Sequence, residues 1–194
     1  MKRIAISLAA ITLSFGGLSG CASMCACEPQ RDVETTTEAS ASVSGGYLWS
    51  ERMQEQKESL EQATQGTKAS VSQTDDNQLK LSLPSDISFN PGRYDIKSGL
   101  RPILDHLAIT LIRYPETTVN IIGHTDSTGS DAVNNPLSVN RAKATRDYLM
   151  ERGATDDRIN IEGQGSSEPI ADNSTPSGRA TNRRVEIYVG EVAP

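Results

Sequence analysis

The stretch GHTDSTGSDAVNNPLSVNRA, from Gly123 to Ala142, sets a histidine, an aspartate, a glycine-containing polar turn and an arginine between a strand-like and a helix-like segment. Three chemistries use such parts. The first is metal binding, since His124 and Asp126 stand two apart. A structural zinc site takes four ligands and a catalytic one three. The chain has only two histidines, and His106 lies on the preceding helix at no partner spacing. No metal is expected, and His124 reads as a hydrogen bonder inside the fold or at a ligand rim. The second is hydrolysis, which needs a nucleophile with a base and an orienting group. The sequence has no G-x-S-x-G elbow, and Cys21, Cys25 and Cys27 all fall near the N-terminus. GQGSSEP, 163–169, does not lead from a strand into a helix with phosphate-cradling spacing. Neither an enzyme activity nor a cofactor is expected.

The third chemistry is recognition of a small charged ligand, and it uses the whole patch. Asp126 lies just past the carboxyl end of a predicted strand, where ligands of α/β sheets sit. Arg141 follows on the next helix, and helical side chains lean back toward the N-terminus, so its guanidinium can return to the mouth of the loop. An arginine forks a carboxylate and an aspartate takes an ammonium, so the pair suits a zwitterion. The free amides of the helix N-terminus add donors for an anion. The same spacing also fits a structural salt bridge closing the loop onto the helix, and the residues alone leave both readings open.

These residues need a scaffold, and the pattern supplies one from about residue 69. LKLSLP, 79–84, alternates with period two like a half-buried strand, with SVSQTDDNQ before it as a hairpin partner. Leu100, Ile103, Leu104, Leu107, Ala108, Leu111 and Ile112 repeat with helical period; this helix is expected to start near Ser98 and stop before Pro115. TVNIIG, 118–123, is a strand. The following helix is expected to start at Asn134 or Asn135, with Pro136 in its first turn, and to end at Gly153. RINIEGQG, 158–165, and RRVEIYVG, 183–190, complete a single α/β domain of the α+β sandwich type.

The N-terminal part reads differently. MKRIAISLAAITLSFGGLSG, 1–20, has a basic start and an apolar run too short to span a bilayer, the layout of a secretory signal. LSGC, 18–21, resembles the bacterial lipobox, which implies that Cys21 is lipidated and becomes the first mature residue; Ala22 is compatible with outer-membrane sorting. Residues 28–46 are polar, without apolar periodicity, and read as a tether. YLWSERMQEQKESLEQATQGT, 47–67, is a helix with a thin apolar stripe of Leu48, Trp49, Met53, Leu60 and Ala63. It is expected to rest an edge on the domain, or else to self-associate. The organisation is thus 1–20 signal, 21–46 tether, 47–68 helical linker and 69–194 binding domain. The formal net charge of -6 disfavours nucleic acid as a partner. Cys25 and Cys27 have no assigned role.

HTDSTGS with NNPLSVNRA, then RINIEGQGSSEPIADNST, then GRATNRRVEI, together resemble the OmpA-like peptidoglycan-binding domain shared by Pal lipoproteins, MotB-type stator proteins and the OmpA C-terminal domain. With lipobox, tether and helix in front, the layout is most similar to YiaD-type lipoproteins of that family. The resemblance implies a β-α-β-α-β-β domain with a mixed sheet and helices on one face. It also implies non-covalent binding of the peptidoglycan stem peptide through its diaminopimelate residue. Carried onto this chain, Asp126 takes the ammonium and Arg141 the carboxylate. Thr125, Asn134 and Leu137 line the loop and helix start, Phe89 and Asn90 form the opposite wall, and Arg183 or Arg184 borders the site or braces the loop 173–179. Asn90 stands where many members have Asp, and Thr145 replaces a commonly apolar position. The expectation is an outer-membrane lipoprotein with its head in the periplasm, tying membrane to wall; the alternative is a lipoprotein whose main partners are periplasmic proteins.

Overall fold

The computed structural model describes residues 49–191. The signal, the lipobox cysteine, Cys25, Cys27, the whole tether and the first two residues of the expected helix, Tyr47 and Leu48, lie outside the described residues. The first helix, α1 (Glu51–Thr64), starts at Ser50, whose hydroxyl accepts the Met53 amide at 3.1 Å. Ser50 is thus the residue that caps this helix. Its buried stripe is Met53, Gln56, Leu60 and Thr64, two apolar and two polar residues. The Thr64 hydroxyl donates to the Leu60 carbonyl at 2.9 Å, so it is satisfied within its own helix, whereas Gln56 Oε1 is buried without a partner. Met53 and Leu60 enter the same hydrophobic cluster as the sheet and the later helices.

A hairpin follows: β1 (Ser70–Gln73) pairs antiparallel with β2 (Leu79–Pro84). Asn77 turns it with a φ of 58°, left-handed backbone that asparagine tolerates, and the Trp49 indole donates to the Asn77 carbonyl at 3.0 Å. After a short turn of helix α2 (Ser85–Ser88) comes α3 (Arg101–Arg113), which begins three residues later than Ser98 because Ser98–Leu100 form a turn and Pro102 sits in the first helical turn. Then come β3 (Thr117–His124), α4 (Asp131–Glu151), a 3-10 turn at Asp156–Arg158, β4 (Ile159–Gly165), α5 (Pro176–Asn182) and β5 (Arg184–Glu191). Helix α4 starts one turn before the expected Asn134, after Ser130, so Pro136 lies in the second turn and Arg141 in the third. Proline forfeits only one amide bond there, to the Ala132 carbonyl near the helix start.

The five strands form one mixed sheet in the order β1-β2-β5-β3-β4. Only β3 and β4 run parallel, and α4 makes the crossover that a parallel pair requires. Alternation sorts the faces. Leu79, Leu81, Leu83, Val119, Ile121, Ile159, Val185, Ile187 and Val189 meet Ile103, Leu104, Leu107 and Leu111 of α3 and Ala142 and Leu149 of α4 in one core. Thr145, the departure noted above, is fully buried in α4 and donates to the Arg141 carbonyl at 2.9 Å, so it adds no unsatisfied group.

Candidate binding cleft

Strand register builds the site. Pro84 of β2 and His124 of β3 both stand opposite Arg184 of β5. The residues just beyond that line, Ser85 and Asp86, Thr125 and Asp126, and Arg183, therefore emerge side by side at one end of the sheet. Helix α4 leans over them because its backbone touches the sheet closely: a Cβ on Gly123 would lie 2.1 Å from the Ser138 carbonyl oxygen. Ser138 also accepts the Gly165 amide at 3.0 Å and donates to the Asn135 carbonyl at 2.7 Å, stitching α4 to β4 three residues before Arg141.

The result is a cleft of about 610 Å³. Asp126, Arg141, Thr125, Asn134 and Leu137 line one side of it, and Phe89 and Asn90 the other, with Arg183 at the strand end. All eight residues singled out from the sequence thus meet in one place. Asn134 holds the loop shut on itself, its amide donating to the carbonyls of Asp126 at 3.3 Å and Thr128 at 3.2 Å. The choice between Arg183 and Arg184 resolves by alternation. Arg184 points to the other face of the sheet, buried, and donates to Glu186 at 2.7 Å and to the Glu168 carbonyl at 3.3 Å. Arg183 reaches Asp126 at 2.7 Å.

Asp126 and Arg141 do not pair with each other, so the salt bridge that spacing allowed between loop and helix is not formed. Arg141 is 1% exposed; its Nε donates to the Arg93 carbonyl at 3.1 Å and its guanidinium stands 5.3 Å from the centre of the Phe89 ring. Its Nη1 is buried with no hydrogen-bond partner. Burial, and then the charge of Arg183, lower its pKa to about 10, only partly opposed by Asp126. Burial pushes the Asp126 carboxyl up, but the bonds from Arg183 and from the Thr128 amide outweigh it and hold the group below the ordinary carboxylate range. Two hydroxyls on the cleft wall, Thr125 Oγ1 and Ser85 Oγ, are also buried without a partner. Buried polar groups are nearly always satisfied, and three of the unpartnered ones, on Arg141, Thr125 and Ser85, gather around this one cleft.

His124 is neither a rim residue nor a hydrogen bonder. It is 1% exposed and both ring nitrogens lack a partner. Its place on β3 sends it to the far face of the sheet, with Nε2 3.8 Å from Glu186. Burial and the charge of Arg184 depress its pKa to about 4. Among the described residues no three His, Cys, Asp or Glu side chains gather around a point where a metal could sit. The cleft also contains residues that sequence reading passed over: Asp86, Lys97 and Arg179. Pairing LKLSLP with RRVEIYVG in register would have placed Asp86 beside Arg183; Lys97 and Arg179 arrive on loop and short helix, with no periodic signal.

The OmpA family matches residues 88–183. The chain is 39% identical to the "Probable lipoprotein YiaD" of Escherichia coli over 145 residues, 75% of this chain and 65% of YiaD. It is 53% identical to the peptidoglycan-binding protein ArfA of Mycobacterium bovis over 87 residues, 45% of this chain and 27% of that protein. The chain thus spans less than two thirds of the length of either relative. Among solved structures, a MotB-like protein from Desulfovibrio vulgaris superposes with a TM-score of 0.64 at 24% identity, covering 73% of this chain and 92% of that one; at that identity the likeness concerns the fold. No helix among the described residues is long and apolar enough to cross a membrane. The fold agrees with the family match, and residues 88–183 of this chain are an OmpA family domain.

Proposed function

We propose that this chain is an outer-membrane lipoprotein whose periplasmic head binds peptidoglycan non-covalently through the diaminopimelate of the stem peptide, tying the membrane to the wall. The observation that carries the reading is the buried, unpartnered Nη1 of Arg141 in a cleft that also holds the Asp126 carboxylate. A free amino-acid end offers a carboxylate for the first and an ammonium for the second. Thr125 and Ser85 hydroxyls supply further bonds to the same ligand end. The similarity to ArfA, a peptidoglycan-binding protein, and to YiaD, a lipoprotein, supports both ends of the proposal. Lipidation at Cys21 would supply the membrane end, since each buried methylene contributes roughly 0.8 kcal/mol and several chains on one residue hold firmly.

No bond is made or broken in this function. Truncating one partner of a desolvated charge pair costs about 2 to 5 kcal/mol. Retention on purified sacculi should therefore fall at least about tenfold for Asp126→Ala and for Arg141→Ala, with the circular dichroism spectrum kept. Undiminished retention of both variants would contradict the assignment of the cleft.

A further inference from the structure

A ligand end with one carboxylate and one ammonium leaves much of the cleft's charge unused. Lys97, Arg179 and Arg183 line it together with Asp86. Four cations thus face two carboxylates, an excess of two positive charges, in a chain whose formal net charge is -6. A ligand presenting only a zwitterion is neutral and leaves that excess uncompensated. The cleft, at about 610 Å³, also has room for more than one residue's end, since pockets of roughly 300–1,000 Å³ enclose whole drug-sized ligands.

Among these cations Arg183 is the one placed to act. Lys97 donates to the Asp86 carbonyl at 2.6 Å, and Arg179 to the carbonyls of Asn173 at 2.9 Å and Ser174 at 3.1 Å, each braced on its own loop. Arg183 bridges two carboxylates instead, with Nη1 2.7 Å from Asp126 and Nη2 3.5 Å from Asp86. Its side chain is 31% exposed, so it has room to move. It occupies the carboxylate that an incoming ammonium needs. Once the ammonium takes Asp126, one fork of the guanidinium is released.

We infer that Arg183 is a specificity residue: displaced from Asp126 by the ligand's ammonium, it binds a second free carboxylate of the ligand. The cleft then selects peptides with two free carboxylates near one ammonium over peptides in which the second is amidated. The inference rests on the stem-peptide reading and deepens it. Because Arg183 is partly exposed, the effect is smaller than that of losing Arg141, about tenfold in affinity.

The test uses the full-length protein in detergent micelles and calorimetry with synthetic stem peptides. Two carry diaminopimelate and differ only in whether the carboxylate of the neighbouring glutamate is free or amidated; a third carries lysine in place of diaminopimelate. The wild type is expected to prefer the free carboxylate about tenfold, and Arg183→Gln to reduce that preference below about twofold while still preferring diaminopimelate to lysine. Arg183→Lys, which keeps the charge without the fork, retains part of the preference and guards against a folding failure of the first variant. Equal binding of both diaminopimelate peptides by the wild type, or an undiminished preference in Arg183→Gln, overturns the inference and leaves the stem-peptide site standing. Absence of binding to any peptide by folded wild type removes both.

Discussion

Arg141 is held at a cost. A guanidinium that is 1% exposed, without a carboxylate partner and with an orphaned Nη1, is one of the more expensive groups a small core can contain. Replacing buried charge by an apolar side chain of similar volume is often neutral or stabilising. Arg141→Met should therefore raise the thermal midpoint by about 2–4 °C, corresponding to about 1 kcal/mol, while removing peptide binding. A fall in midpoint would mean that the bond to Arg93 and the contact with Phe89 matter more than the buried charge. His124 makes a second prediction, by differential scanning or urea unfolding across pH. Its pKa is about 4 in the fold against about 6.5 in the open chain, so the unfolded state binds the proton first. The stability it contributes is complete above about pH 6.5 and is lost as pH falls toward 4, up to about 3 kcal/mol. Burial pushes Glu186 up, but Arg184, Tyr188 and Lys80 bring it to about 2, so its contribution is lost lower, between about 4.5 and 2. His124→Gln should flatten the first decline and leave the second. Asp126 and Arg141 were visible in the sequence because each sits at a fixed offset from a strand end and a helix. The loss of partner at Arg141 was not, because it depends on Asp126 choosing Arg183, 57 residues away.

At the scale of elements, the site depends on how closely α4 lies on β3 and β4. Gly163 repeats the close approach made by Gly123: a Cβ there would lie 2.5 Å from the Val139 amide nitrogen. Overpacking a tight contact costs about 1–3 kcal/mol, and here the obstruction is backbone. Gly123→Ala should lower the unfolding midpoint accordingly and weaken sacculus binding, because the helix carrying Arg141 must move outward. Helix α1 offers the complementary test. Leu60 is fully buried in the domain core, so Leu60→Ala should cost about 2–5 kcal/mol in the single unfolding transition. An unchanged midpoint would mean that α1 folds apart from the sheet. Strands β2 and β3 and the α3 stripe were legible because period two and period 3.6 were clean over six or more residues. The α1 stripe was faint because Gln56 and Thr64 occupy half of its buried positions. The start of α4 was misplaced because Asn134, Asn135 and Pro136 look like a cap and a first turn. Asn134 instead spends its side chain closing the loop ahead of it.

At the scale of the whole molecule, the proposed function is two attachments on one chain, a lipid at Cys21 and a cleft at the end of the sheet. Each raises the effective concentration of the other's partner, so modest affinity for single stem peptides suffices at a wall that offers many. Cys21→Ala should move the protein out of the membrane fraction while leaving its retention on isolated sacculi unchanged, because the cleft lies within residues 85–183. The central claim is that this cleft recognises a zwitterion, and the most direct measurement is calorimetry of the full-length protein in micelles against two stem peptides identical except for diaminopimelate or lysine. The lysine peptide keeps the ammonium and lacks the adjoining carboxylate. The account predicts tighter binding of the diaminopimelate peptide by at least about tenfold, with the difference abolished in Arg141→Met. Equal binding of the two, or no heat from either with a folded protein, would contradict it.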